Sequence, residues 1–245
     1  MVAAAAARPR PHHAHPPYAE PGGGDVTPRV GVSACVEAPS VGMVVYLNGA
    51  AGSGKSTLAR GLQARWPEPV LHVGLDMLTG TMPRRFLGRG AEADLGARWV
   101  VGDDGRLVRI DAGPFGERLL RGIPRLAAAL ARAGNHVLVD DVLLYPWRLA
   151  DVATALTGLD AHLVEVRCRP ETATRRLRER EPDRPSGHTE AYYSATYENE
   201  RYDLRLDTDA TSSEACADAL VQHLRSGVAP TALAAIRAAT ARHGA

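Results

Sequence analysis

The sequence predicts an α/β fold, a parallel sheet covered by helices on both faces, and three observations predict it. Short, continuously apolar runs rich in β-branched residues recur along the chain, the pattern of strands buried on both faces. Segments with helical spacing alternate with them. The first strand also runs directly into Gly49-Ala50-Ala51-Gly52-Ser53-Gly54-Lys55-Ser56. This is a glycine-rich turn of the kind that brings backbone N–H groups and a helix N-terminus against an anion.

In chain order, residues 43–47 read as the first strand and 56–66 as a helix. Residues 70–75 form a second strand ending at Asp76. Two short β-rich runs, 99–101 and 107–110, flank Gly102-Asp103-Asp104-Gly105 and read as an inserted β-hairpin. A long helical pattern over 115–133 stops at Gly134-Asn135, a strong C-terminal signal. Residues 137–139 are a third strand ending at Asp140-Asp141, followed by a helix over 147–156. A fourth strand (162–166), helices over 171–181 and 189–201, a fifth strand (204–206) and a closing helix (213–225) complete the alternation. Five parallel strands in one folded unit over 41–227 follow. Residues 1–40, rich in Ala, Pro, Gly and His, lack the apolar pattern to offset ordering entropy and read as a disordered tail. Its His12, His13 and His15 have no second cluster and read as a polar tract. Residues 228–245 read as an Ala-rich extension.

Composition narrows the function classes. At 245 residues, with 29 basic against 28 acidic side chains, the chain carries no global field that would draw it to nucleic acid or a membrane. The three cysteines, Cys35, Cys168 and Cys216, are widely spaced, and the last two sit in apolar surroundings as small core residues rather than a metal set. No apolar run reaches the length of a membrane span, so a cytoplasmic location is expected.

Of the 29 Lys and Arg residues, 28 are arginine, and the one lysine, Lys55, lies in the glycine-rich turn. Arginine supplies bulk charge as well as lysine does, but not a compact ammonium that fits between two phosphates. The segment satisfies G-x-x-x-x-G-K-[ST], the P-loop, in which backbone N–H groups cradle phosphates and the lysine reaches the β and γ oxygens. Residues 49–57, through Thr57, are therefore expected to hold ATP, with Ser56 ligating Mg²⁺. Asp76 ends a strand on the edge where open α/β sheets bind ligands. A carboxylate there either receives the proton of an acceptor hydroxyl or caps the following helix. Of Asp140 and Asp141, one occupies the place of a Mg²⁺-holding carboxylate, with Asp140 preferred, and the other either touches the acceptor or caps the next element. The arginine-dense run 175–187 reads either as a solvated helix face laced with ion pairs or as a mobile lid. As a lid it would bring Arg180 and Arg184 to the transferred phosphoryl group.

These residues resemble the chloramphenicol phosphotransferases. The resemblance is carried by Tyr46-Leu47-Asn48-Gly49 with its loop, Val73-Gly74-Leu75-Asp76, Met82-Pro83, Val139-Asp140-Asp141-Val142 and Glu165-Val166-Arg167-Cys168. Asp183-Arg184, Tyr202-Asp203 and Leu206-Asp207-Thr208 continue it, over roughly residues 43–225. It implies a P-loop kinase fold like that of nucleotide and shikimate kinases. It also implies transfer of the γ-phosphoryl group of ATP to a hydroxyl of a small antibiotic, with Asp76 as the base. The acceptor pocket would then lie under residues 82–120, with Met82, Phe86 and Asp141 as candidate contacts. The chain departs from the family pattern at Glu181, where the family has a lid arginine, and at Tyr197-Glu198, where it has His-Glu. Other readings remain: a kinase of a nucleotide, sugar nucleotide, polynucleotide end or other metabolite, favoured by Arg84, Arg85 and Arg89, and a regulatory P-loop ATPase without a small acceptor.

Overall fold

The computed structural model describes residues 40–243. The expected tail, with its histidines and Cys35, falls outside them apart from Ser40. The first strand, β1 (Val44–Asn48), is buried along its whole length, as its unbroken apolar run requires. Helix α1 (Lys55–Arg65) follows the glycine-rich loop, then strand β2 (Val70–Gly74) and the short helix α2 (Leu75–Thr79). Next come β3 (Leu87–Gly88), β4 (Ala97–Val101) and β5 (Leu107–Ala112), a small separate sheet in the order β3-β4-β5. The expected hairpin is the antiparallel β4–β5 pair, and β3 adds a two-residue parallel edge that sequence alone did not reveal.

The chain then forms α3 (Pro114–Arg132), β6 (His136–Asp141), α4 (Pro146–Ala155), β7 (Ala161–Arg167) and α5 (Pro170–Arg180). Helices α3, α4 and α5 each open on proline, whose missing N–H costs nothing in a first turn. Last are α6 (His188–Thr196), β8 (Leu204–Asp207), α7 (Ser213–Arg225) and α8 (Ala232–His243). The main sheet has five parallel strands in the order β2-β6-β1-β7-β8. The connection from β6 to β7 passes over β1, so β1 lies where the winding changes direction. The loop leaving its carboxyl end stands at the topological switch point, where such sheets bind ligands.

Alternation along the strands divides the core into two layers. Val45 and Leu47 face Leu58 and Leu62 of α1 and Leu220 of α7. Val44 and Tyr46 face Ile123 of α3, Val152 of α4 and Ile236 of α8. The Ala-rich segment expected as an extension thus contributes Ala232, Leu233 and Ile236 to the core. Asp203 anchors it: one carboxylate oxygen accepts from the N–H groups of Thr231 (2.7 Å) and Ala232 (3.0 Å), the other from that of Leu163 on β7 (2.9 Å). Among the described residues, no helix is long and apolar enough to cross a membrane.

Candidate active site

Two glycines shape the loop. Gly52 (φ 85°) and Gly54 (φ 102°) occupy left-handed conformations, and a Cβ on Gly52 would stand 2.2 Å from the carbonyl oxygen of Ala173. Lys55 folds back into the turn, donating from Nζ to the carbonyls of Gly49 (2.8 Å) and Ala50 (3.1 Å). Its ammonium also lies 3.7 Å from Asp140 Oδ1, and Ser56 Oγ donates to Asp140 Oδ2 at 2.6 Å. The loop, the first turn of α1 and the end of β6 thus converge on one partly buried cation–hydroxyl–carboxylate group. Hydroxyl and carboxylate oxygens in that arrangement suit Mg²⁺, a hard cation that takes oxygen ligands.

The register of β6 separates the two aspartates. Asp140 pairs with Leu47 and Gly74, and Asp141 with Asn48. Neighbouring residues of a strand face opposite layers, so Asp140 joins the α1 side and Asp141 the α3–α4 side. Burial raises the Asp140 carboxyl, but Lys55, with Ser56 and the nearby His72, outweighs it and lowers its pKa to about 2. A depressed carboxylate stabilises the fold above its unfolded pKa, near 3.8, and loses that contribution as pH falls from about 4 towards 2. Urea denaturation of wild type and Asp140→Asn should therefore differ by about 2 kcal/mol more at pH 6 than at pH 2. A gap independent of pH would show that the charge is not held this way.

Asp141, expected among the acceptor contacts, is instead placed out of reach of a ligand. It is 1% exposed, and Arg148, equally buried, donates to both of its oxygens at 2.8 and 2.6 Å. The Tyr46 hydroxyl donates to the same carboxylate, and the Val142 N–H caps it at 2.7 Å. Burial, then the negative Asp141, raises the Tyr46 phenol, so it remains a donor.

Asp76 is exposed in the first turn of α2, two residues past Gly74, the register partner of Asp140. It therefore stands on the same carboxyl edge as Lys55 and Asp140. Next to it in the chain, Met77 is half exposed, and Met82 and Phe86 pack around Gly96 in the segments that lead into the inserted sheet. Phe86 meets Phe115 of α3 edge-on, with ring centres 5.4 Å apart. Phe86 and Phe115 carry Arg85 and Arg118 over their faces at 4.5 and 4.7 Å. This side is apolar with a cationic fringe.

Arg180 and Arg184 are not brought to the loop. Both pair with Glu181, at 2.7 and 2.6 Å, and Arg184 also donates to His188 Nε2 at 3.0 Å. The arginine that reaches the loop is Arg176: it donates to Thr208 Oγ1 at 2.9 Å, and Thr208 donates to the Ser53 carbonyl at 2.9 Å. Sequence reasoning missed Arg176, because one arginine in a run of guanidinium groups carries no separate signal. Thr208 and Asn48 stood among the residues that carry the resemblance but were given no role; Asn48 is a buried hub at the end of β1. Asn48 donates to the Thr196 carbonyl and the Tyr202 hydroxyl, each at 2.8 Å, and accepts from the Leu143 N–H at 3.0 Å. Tyr197 is a further tie, accepting from the Ala50 N–H at 3.0 Å and donating to the Val166 carbonyl at 2.9 Å.

Several known proteins are similar to this chain in sequence or in fold. A Mycobacterium tuberculosis (strain H37Rv) protein provisionally named O-phosphotransferase Rv2636 is 28% identical over 173 residues, covering 69% of this chain and 76% of its own. The M. tuberculosis APS kinase CysC, solved with AMPPNP and APS, superposes with a TM-score of 0.55 at 21% identity, over 76% of this chain and 99% of that one. A sugar kinase from Janibacter sp. HTCC2649 superposes with a TM-score of 0.53 at 18% identity, over 75% and 95%. These two likenesses establish the fold as that of P-loop kinases. The sequence profile of chloramphenicol phosphotransferase-like proteins matches residues 42–225. With three quarters of its length so matched, and a nucleotide loop closed on Lys55, Ser56 and Asp140, the chain is a small-molecule kinase that belongs to the chloramphenicol phosphotransferase-like protein family.

Proposed function

We propose that the chain transfers the γ-phosphoryl group of ATP to a hydroxyl of a small antibiotic of the chloramphenicol type, inactivating it. The observation that carries this reading is the place of Asp76, on the same strand-end edge as the Lys55–Ser56–Asp140 group and beside an apolar surface. An exposed carboxylate there can accept the proton of an acceptor hydroxyl and aim its oxygen in line at the γ-phosphorus. Lys55 supports the β- and γ-phosphate charge, and the backbone N–H groups of residues 50–56 hold the phosphates. Ser56 and Asp140 would hold Mg²⁺, which when bound neutralises charge developing on the phosphate oxygens. Arg180 would exchange Glu181 for phosphate oxygens as the segment between α5 and α6 closes, while Arg184 stays on Glu181 and His188. The protein's contribution is positioning and electrostatic stabilisation.

A second reading, a kinase of a phosphorylated metabolite, draws on exposed Arg84, Arg85 and Arg89 along the inserted sheet. ATP consumption across a panel of hydroxylated antibiotics, chloramphenicol included, and of nucleotides and sugar nucleotides separates the two. Loss of the proton acceptor in Asp76→Asn is expected to lower kcat by about 10²–10⁴-fold with the KM for ATP unchanged. Turnover confined to phosphorylated acceptors would discard the antibiotic reading. Full activity in the Asp76→Asn variant would discard the base.

A further inference from the structure

Helix α6 carries buried polar atoms that nothing in the fold satisfies. The Tyr192 hydroxyl and His188 Nδ1 have no hydrogen-bond partner, and neither is open to solvent. Such groups cost about 1–3 kcal/mol each when left unpaired, so a fold that keeps two of them together has a use for them. They are four residues apart on one helix, hence on one face, and their rings meet edge-on at 6.2 Å.

The N-terminal end of α6 lies against the inserted sheet. The Leu107 N–H of β5 donates to the Ser186 carbonyl at 2.7 Å, Arg106 pairs with Glu190 at 3.6 Å, and a Cβ on Gly187 would strike the Leu107 carbonyl. Tyr192 lies within electrostatic reach of Tyr145, Asp111 and Arg109. Tyr145 stands beyond the carboxyl end of β6, the strand beside β2 and so beside the approach to Asp76, and its hydroxyl donates to Ile110 at 2.8 Å. The protonation of His188 is fixed by its neighbour. Arg184 can only donate, so Nε2 must accept and the imidazole proton sits on Nδ1, an unused donor. Burial first, then the charge of Arg184, lowers the His188 pKa to about 4, so this tautomer holds at neutral pH.

We propose that His188 and Tyr192 form the acceptor-specificity subsite of this kinase, reading the uncharged oxygen-bearing arm of the acceptor when it enters between α6 and the inserted sheet. The inference rests on the reading of the chain as a kinase of a small hydroxylated acceptor and narrows it. A donor N–H and a hydroxyl suit a carbonyl, nitro or hydroxyl oxygen. Asp111 and Glu181 stand nearby, and Arg184 is already neutralised by Glu181, so an anionic arm is disfavoured here.

The test is calorimetric titration of chloramphenicol into the full chain saturated with AMPPNP, comparing wild type, Tyr192→Phe and His188→Gln. The glutamine keeps an acceptor for Arg184 at the ε position and carries its amide donor there too, so no donor remains at the place of Nδ1. Each variant should bind chloramphenicol about tenfold more weakly, the scale of one lost hydrogen bond, with AMPPNP affinity unchanged. Without ligand, Tyr192→Phe should melt at or above the wild-type temperature, because it deletes a hydroxyl that bonds nothing. A fall of several degrees, or unchanged chloramphenicol affinity in both variants, would overturn the proposal, as would a wild type that does not bind chloramphenicol. Wild-type binding that the variants weaken, without phosphate transfer, would support the subsite and sink only the kinase reading of this acceptor.

Discussion

Phosphoryl transfer by Lys55→Met is expected to fall by at least about 10²–10³-fold, the scale of removing one preorganised electrostatic group, while the fold persists. The ammonium is held by the Gly49 and Ala50 carbonyls and faces Asp140 at 3.7 Å, so it is aimed before any phosphate arrives. Methionine keeps the stem and removes the charge. Lys55→Arg should fail almost as badly although it preserves the charge. The side chain is 7% exposed inside the turn, which has room for a compact ammonium and not for a planar fork. Losing the nearest cation should also return Asp140 towards the ordinary carboxylate range and erase its contribution to acid resistance. Steady-state kinetics with circular-dichroism melts of both variants would decide the matter. An arginine variant within tenfold of wild type would refute the steric argument.

Arg148→Met is expected to be the most damaging single change to stability, costing about 3–5 kcal/mol. The substitution leaves Asp141 buried with the Tyr46 hydroxyl and one backbone N–H, and without its counter-ion. The pair itself need not stabilise the fold relative to apolar side chains, because two ions have left water to form it. Asp141→Leu added to Arg148→Met, with Tyr46→Phe to avoid stranding the phenol, should therefore recover most of the loss. Urea unfolding of the single and triple variants measures both quantities. Equal destabilisation in both would mean that packing, not the stranded charge, sets the cost.

Asp141 also shows where reading the sequence stops. Two adjacent aspartates after an apolar run announce a carboxylate at a strand end. Which one faces the loop depends on strand parity, and that is settled only by register against β1 and β2. The alternation of strands and helices was legible because each strand is buried on both faces and each helix carries an apolar stripe. The helix expected over 189–201 ends instead at Thr196. There Asn199 bonds the backbone of Arg201, and the Tyr197 hydroxyl is drawn to the end of β7. Helix α8 left little trace because alanines make a weak stripe, and its anchor, Asp203, lies 28 residues from Thr231. The nucleotide loop was fully legible, since its chemistry is written in consecutive residues. The contacts of Arg176, Thr208 and Asn48 join segments far apart in the chain, and no local pattern encodes them.

The solitary lysine has a consequence for chemical biology. Amine-directed modification of this chain, whether acetylation, ubiquitin conjugation or laboratory acylation, has no side-chain target other than Lys55. That amine is sheltered by two carbonyls and a carboxylate. Bulk reagents should therefore find little beyond the α-amino group, whereas a nucleotide bearing an acyl-phosphate would carry its electrophile to Lys55 itself. Occupancy of the active site could then be counted, one label per chain, in a crude mixture and without knowing the acceptor.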